Sequence, residues 1–209
     1  MTVLLVPRGA EARCVSRAAP GAAVVAIRAG VAAAELPARL PDGPIVVLGL
    51  CGALRGLRAG AIVLYRDAVD EQGRFTFDGE LVRALHETLP AATLVSACTV
   101  DHVVTRATER AALAAAYSAD VVDMETTHVA RALTLRGRPA LAVRVASDDP
   151  TYDLPPIERA VDAAGAIRPL RLTRAFASNP VAAARFVRDV RRALAALAEV
   201  ARTLSRATA

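Results

Sequence analysis

The sequence predicts an α/β protein with helices on both faces of a central sheet. Three observations predict it. Short apolar runs alternate with Ala-rich helical stretches along the chain. Several runs are continuously apolar, the pattern of strands covered on both faces. The 54% hydrophobic content over 209 residues supports a sizeable core, and residues 1–209 are read as one domain.

The strands expected in order are "TVLLV" (2–6), "AVVAI" (23–27), "PIVVLGL" (44–50), "AIVLYRDAV" (61–69), "ATLVSAC" (92–98), "ADVVDM" (119–124) and "ALAVRVASD" (140–148). A hairpin is expected around Phe75–Phe77. Helices are expected over "AEARCVSRA", "DGELVRALHETL", "ATERAALAAAYS" and "ETTHVARALTLRG", the last ending at Gly137 with Pro139 close behind. A long final helix, about 181–204, is expected to start after Asn179, a candidate N-cap, with Pro180 at its first position. The Pro-interrupted stretch 151–169 reads as a long loop with a short helix.

Composition excludes several classes. All 26 basic residues are Arg, and the net charge of +5 is read as a coding bias, not a nucleic-acid footprint. With aromatics at 3% and no Trp, an aromatic nucleic-acid platform is not expected. Cys14, Cys51 and Cys98 are widely spaced and form no CxxC pair, so neither a disulfide framework nor a metal site is expected. "MTVLLVPRG" lacks a basic n-region, and no long uncharged apolar run suggests a transmembrane helix. A cytoplasmic protein is the expectation.

In open α/β sheets ligands bind at the carboxyl ends of strands, and four such ends carry chemistry. After the first strand come Arg8, Gly9 and Glu11, where a glycine turn at a helix N-terminus suits an anion. In "VVLGLCGALRGL", Gly49, Gly52 and Gly56 allow close backbone approach, but no G-x-G-x-x-G is present. In "VVDMETTHVARAL", Met124 offers an apolar surface and Glu125 a strong acceptor, a pairing suited to a sugar. Helix-starting charge is the plainer role for Glu125, and His128 is read as a packed or surface residue. In "VRVASDDP", Ser147-Asp148 ends an apolar strand, where burial can hold a proton on the carboxyl for use as a general acid. A loop-capping role is the plainer one.

Taken in order, these segments resemble the nucleoside phosphorylase/nucleosidase superfamily. "VVDMETTHVARAL" followed by "AVRVASDDP" is similar to its Met-Glu and Ser-Asp strand ends, and "GLCGALRGLRAGAIVL" to its early glycine turn. "SDDPTYDLPP", "DAAGAIRP" and the last helix look most like the hopanoid-associated phosphorylase branch.

The resemblance implies a three-layer α/β/α sandwich around a mixed, largely parallel sheet, phosphorylase/hydrolase-like. It implies cleavage of the N-glycosidic bond of a purine nucleoside. Asp148 would protonate the leaving base with Ser147 orienting it. Glu125 and Met124 would hold the ribose. Cys51, Gly52, Val103 and Val104 would line the base subsite, with Val103 in place of an aromatic. Asp123 and Arg144 could be purely structural. The nucleophile is left open. Glu11 would activate water, Arg8, Gly9 and Arg55 would favour phosphate as co-substrate, and Leu50 cannot donate the side-chain hydrogen bond a phosphate would want. No other cofactor and no metal are implied.

The branch implies a 5′-hydrocarbon adenosine such as adenosylhopane. The alternatives are a methylthioadenosine/S-adenosylhomocysteine- or futalosine-type nucleosidase and a non-catalytic nucleoside-binding protein. A homo-oligomer is expected, without nucleic acid. The last helix is expected to pack on the sheet, with contact to a membrane surface as the alternative.

Overall fold

The computed structural model describes residues 1–160 and 169–207. The predicted segment 151–169 therefore lies partly outside the described residues. Its described part holds a 3-10 turn, Ile157–Ala160.

Eight strands form one sheet. They are β1 (Val3–Pro7), β2 (Ala23–Ile27), β3 (Ile45–Ala53), β4 (Ile62–Asp70), β5 (Gly73–Thr76), β6 (Thr93–Thr99), β7 (Val121–Asp123) and β8 (Ala140–Ala146). Among the described residues six helices accompany them: α1 (Ala10–Ala18), α2 (Gly79–Thr88), α3 (Ala107–Tyr117), α4 (Thr126–Thr134), α5 (Pro169–Ser178) and α6 (Pro180–Arg206). The fold is the mixed α/β sandwich that the sequence predicts. All seven predicted strands form, and the Phe75–Phe77 hairpin contributes β5.

Two elements escape the hydrophobic pattern. A 3-10 turn, Gly30–Ala34, is five residues of small side chains with no periodicity. The helix α5 follows directly on the Pro-interrupted segment. The predicted end of α4 at Gly137 is also late. Helical pairing stops at Thr134, and Gly137, at φ 63°, closes the turn while the Arg138 N–H returns to the Leu133 carbonyl.

The pairing explains where the core sits. β1 is parallel to β2 and β3, β3 to β8, β4 to β6, and β6 to β7, while β3–β7, β4–β8 and β4–β5 are antiparallel. The chain of pairs β3–β8–β4–β6–β7–β3 closes on itself, so the sheet curls into a ring at one side. Every side chain of β1 is buried, as are all but the first of β8. β1 reads as an unbroken apolar run, and β8 as one broken only by Arg144, because helices cover both faces. Each fully buried Val or Leu contributes about 1.5–3 kcal/mol to the fold.

The long helix α6 starts as its sequence dictates. The Asn179 side chain accepts the Ala182 N–H, and Pro180 occupies the first turn. Its buried stripe of Ala193, Leu197, Val200, Ala201 and Leu204 packs toward α1, β3 and β8. Of the apolar residues along this helix Leu197 is buried, while Phe186, Val187, Val190 and Leu194 are half-buried. No helix among the described residues is long and apolar enough to cross a membrane.

The start of α4 matters most for the site. Asp123, the last residue of β7, accepts the backbone N–H groups of Glu125 and Thr126 at 3.2 and 3.1 Å, the Thr99 hydroxyl at 2.9 Å and the Thr126 hydroxyl. It satisfies the helix start that an N-cap ordinarily serves, and leaves the Glu125 side chain free of that duty. Replacing Asp123 with Ala should destabilise the protein by about 2–4 kcal/mol, the sum of a lost cap and buried donors left unpaired. Urea unfolding measures this. A loss well under 1 kcal/mol would contradict the capping role.

Candidate active site

The curled part of the sheet brings three strand ends together around the middle of β3. Cys51 lies level with Ala146 at the end of β8, and Gly52 level with Val122 of β7. The residues after β8 and β7, and those before α1, therefore converge on positions 49–53.

Two clusters form there. Arg144 of β8, fully buried, is the centre of the first. Its guanidinium lies 3.4 Å from Glu125, 3.7 Å from Asp123 and 3.0 Å from the Thr126 hydroxyl, and donates to the Leu50 carbonyl at 3.4 Å. Glu11, in the first turn of α1, accepts the Leu50 N–H at 2.8 Å. Gly49 is a necessity here. A Cβ at this position would sit 2.5 Å from both the Arg144 guanidinium and the Glu11 carboxylate. Backbone must stand where Arg144 and Glu11 meet.

Glu125 is held from its other side by the Gly30 N–H at 3.4 Å. Gly30 opens the 3-10 turn at φ 64°, a conformation that favours glycine, and the Met124 methyl lies beside it. The turn missed in the sequence thus supplies a backbone donor to Glu125 and stands beside Met124.

The second cluster surrounds Asp148, which is buried. Its Oδ1 accepts the Ala53 N–H at 2.9 Å, and its Oδ2 lies 3.5 Å from both the Ser147 hydroxyl and the Arg110 guanidinium. The Ser147 backbone N–H and hydroxyl both donate to the Cys51 carbonyl, at 2.8 and 3.0 Å. A Cβ at Gly52 would press on the Val122 side chain at 3.0 Å and meet Asp148 only at an ordinary 3.7 Å. Val104 is buried and Val103 half-buried, and the Val104 carbonyl accepts from Arg110 at 3.4 Å.

The electrostatics follow from burial. Desolvation pushes Glu11 up to about 7, against the pull of Arg144 and with the push of Glu125. Burial raises Glu125 too, with Arg144 opposing and Asp123 adding to the rise. For Asp148, burial outweighs Arg110 and the Ala53 N–H, and its pKa is raised. Burial works against the charge of Arg144, but Asp123 and Glu125 more than restore it, so its pKa rises. The first cluster can hold or release a proton near neutrality, and the second can keep one on a carboxyl. That combination suits paired base and acid work.

The expected anion-binding residues stand apart from these clusters. The Arg55 side chain is paired with Asp120 at 3.1 Å, not with the Glu11–Arg144 group. Arg8 and Gly9 are exposed at the start of α1, Gly9 at φ 105°. Among the described residues no group of His, Cys, Asp or Glu is arranged for a metal ion.

Sequence reasoning treated Arg144 as a bystander and did not single out Arg110. For Arg144 a signal existed: it is the one charged residue inside an otherwise apolar strand, "ALAVRVA". For Arg110 there was none, because Arg is common on helices of this chain.

A fold with strand ends converging on buried carboxylates defines a class, and the comparisons say which. Residues 8–178 match the family model described as the Phosphorylase superfamily. The chain belongs to the phosphorylase superfamily.

No curated protein matches the chain. Among solved structures it is similar to the Campylobacter jejuni 5′-methylthioadenosine/S-adenosyl homocysteine nucleosidase, at 12% identity, TM-score 0.67, over 99% of both chains. It is also similar to the Neisseria meningitidis enzyme of the same name bound to methylthio-immucillin-A, at 16% identity, TM-score 0.67, over 98% of this chain and 99% of that one. A third is a futalosine hydrolase mutant from Helicobacter pylori, at 14% identity, TM-score 0.57, over 70% of this chain and 90% of that one. At these identities the structures share the fold.

Glu11 generates a pH prediction. Its folded pKa of about 7 lies above the ordinary 4.5. Between these values the folded state keeps a proton that the unfolded chain loses, so this group costs stability as pH rises, fully so above 7. Glu11→Gln removes that cost. The variant should gain on the wild type by on the order of 3 kcal/mol between pH 4.5 and pH 8. Parallel urea melts across that range check it, and a difference independent of pH would contradict it.

Proposed function

We propose that this protein is an enzyme that hydrolyses the N-glycosidic bond of a purine nucleoside and releases adenine from a 5′-substituted adenosine. One observation carries the reading. Glu11, poised near neutral pH beside Arg144, and the buried acid Asp148 are fixed by backbone N–H groups of the same strand, those of Leu50 and Ala53. Three residues of strand span about 10 Å. That separation suits a nucleoside lying along β3, with its sugar at Glu11 and Glu125 and its base at Asp148.

The reaction balances in this arrangement. Glu11 takes a proton from water as its oxygen bonds to C1′. The bond from C1′ to N9 breaks, and its electron pair moves into the purine. Asp148 gives its proton to N7, so the base leaves neutral. Glu125 accepts from the ribose hydroxyls, and Met124 covers the apolar side of the sugar. Afterwards solvent takes the proton from Glu11 and returns one to Asp148.

Water is favoured over phosphate by the local donors. The Leu50 N–H is occupied by Glu11, Leu50 has no hydroxyl, and Arg55 is engaged by Asp120. The similar structures are of nucleosidases and a hydrolase, which supports the same choice. Phosphorolysis is the second reading. It rests on the resemblance to the hopanoid-associated branch and on the free helix start at Arg8 and Gly9.

The 5′-substituent is read as a large hydrocarbon, as in adenosylhopane. The support is the resemblance of "SDDPTYDLPP" to that branch, together with Val31. Val31 is 60% exposed on the 3-10 turn that supplies the Gly30 N–H to Glu125, so an apolar side chain faces solvent next to the proposed sugar subsite. Methylthioadenosine, S-adenosylhomocysteine and futalosine are the alternative substrates.

Asp148→Asn tests the reading, because an amide keeps the shape and loses the proton. Adenine release from each substrate that the wild type cleaves should fall by about 10²–10⁴-fold, the usual contribution of general acid catalysis. Full adenine release by the variant from every active substrate would show that Asp148 is not the acid.

A further inference from the structure

We propose that Arg110 is a positioning residue for the acid, its guanidinium tying Asp148 and the Asp149 carbonyl to the segment that walls the base subsite. The proposal rests on the reading of Asp148 as the acid.

Arg110 lies in the first turn of α3 and is only 1% exposed. Its guanidinium reaches three acceptors: the Asp149 carbonyl at 3.0 Å, the Val104 carbonyl at 3.4 Å and Asp148 Oδ2 at 3.5 Å. Its Nε is buried without a hydrogen bond. A buried guanidinium with an unmet donor and one long ion pair is a poor source of stability. An apolar residue of similar volume would pack there at less cost. Leu113 and Ala114, on the same helix, already belong to the apolar cluster at this place.

What the arginine does provide is a link. The segment 104–110 and the loop 148–154 meet through Arg110 and also through two bonds beside it. The Leu154 N–H donates to the Thr105 carbonyl at 2.8 Å, and the Ala107 N–H to Asp153 at 2.7 Å. Those two fix the far part of the loop. Only Arg110 crosses to the acid itself.

The environment of Asp148 makes the charge of Arg110 matter as well as its reach. From α3 it meets Arg110. From β3 it meets the Ala53 N–H and the buried Cys51 thiol. From its own loop it meets the Ser147 hydroxyl, Asp149 and Tyr152. Arg110 is the one cation in this set, and it opposes the rise that burial imposes. Without it the carboxyl would hold its proton to higher pH and lose its fixed orientation. An acid too reluctant to release its proton is as poor a catalyst as one that has lost it.

Two variants and two readouts test this. Arg110→Met removes the charge, and Arg110→Lys keeps it without the fork. The titration of Asp148 is followed by carboxyl ¹³C NMR, with its signal assigned by its absence in Asp148→Asn. Adenine release is followed against pH. In Arg110→Met, the Asp148 midpoint and the alkaline limb of kcat/KM should both move up by about 1–3 pH units. The kcat should fall by at least about tenfold at neutral pH, with KM little changed.

Arg110→Lys should return the midpoint to near its wild-type place while kcat stays reduced. If Arg110→Met is folded and leaves the midpoint and limb unmoved, the proposal is overturned. If that variant does not fold, Arg110→Lys decides, and wild-type kcat in it overturns the fork. If the wild type releases no purine while Arg110→Met still moves the titration, the reading of the reaction fails and the grip of Arg110 on Asp148 stands.

Discussion

The site depends on one interaction: the buried guanidinium of Arg144 among Asp123, Glu125 and Glu11. Burying such a charge alone costs several kcal/mol, and geometry has to offset it. Here the opposite backbone is Gly49, so Arg144 and Glu11 fit where a Cβ would collide with both. One cation facing three carboxylates leaves an excess of negative charge in a dry place. The group that yields is Glu11, which sits at about 7 while Asp123 is fully engaged with α4 and its own neighbours. Burial is what raises it, and Arg144 opposes that rise without cancelling it.

The strand β3 then acts as the common frame. The Leu50 N–H fixes Glu11 and the Ala53 N–H fixes Asp148, so the proposed base and acid are anchored on one strand. The helix ends complete the division of labour. Asp123 takes over the capping of α4, and this releases Glu125 to face the Gly30 N–H and Arg144. Two carboxylates one residue apart at this strand end therefore have different partners, Asp123 the helix start and Glu125 the Gly30 N–H and Arg144.

Much of this was legible in the sequence. Continuous apolar runs marked the buried strands, since strands covered on both faces need no polar alternation. Asn179-Pro180 marked the start of α6 for reasons of local hydrogen bonding. Glu11, Glu125 and Asp148 were legible because a carboxylate at a strand end is conspicuous. The rest was not, and for physical reasons. The 3-10 turn Gly30–Ala34 is too short and too uniform to carry a period, yet it supplies a backbone donor. Arg110 looks like any helical arginine until the fold sets it against Asp148, and the pairing of Arg55 with Asp120 depends on a contact 65 residues away.

The central claim is that Glu11, held by the Leu50 N–H beside Arg144, activates water. The most direct measurement is to identify the sugar product with and without phosphate, in water labelled with ¹⁸O. The account predicts free sugar carrying one label at C1′, formed at a rate that phosphate does not change and that Glu11→Gln lowers by about 10²-fold or more. A sugar 1-phosphate formed only when phosphate is present, at a rate indifferent to Glu11→Gln, would contradict it.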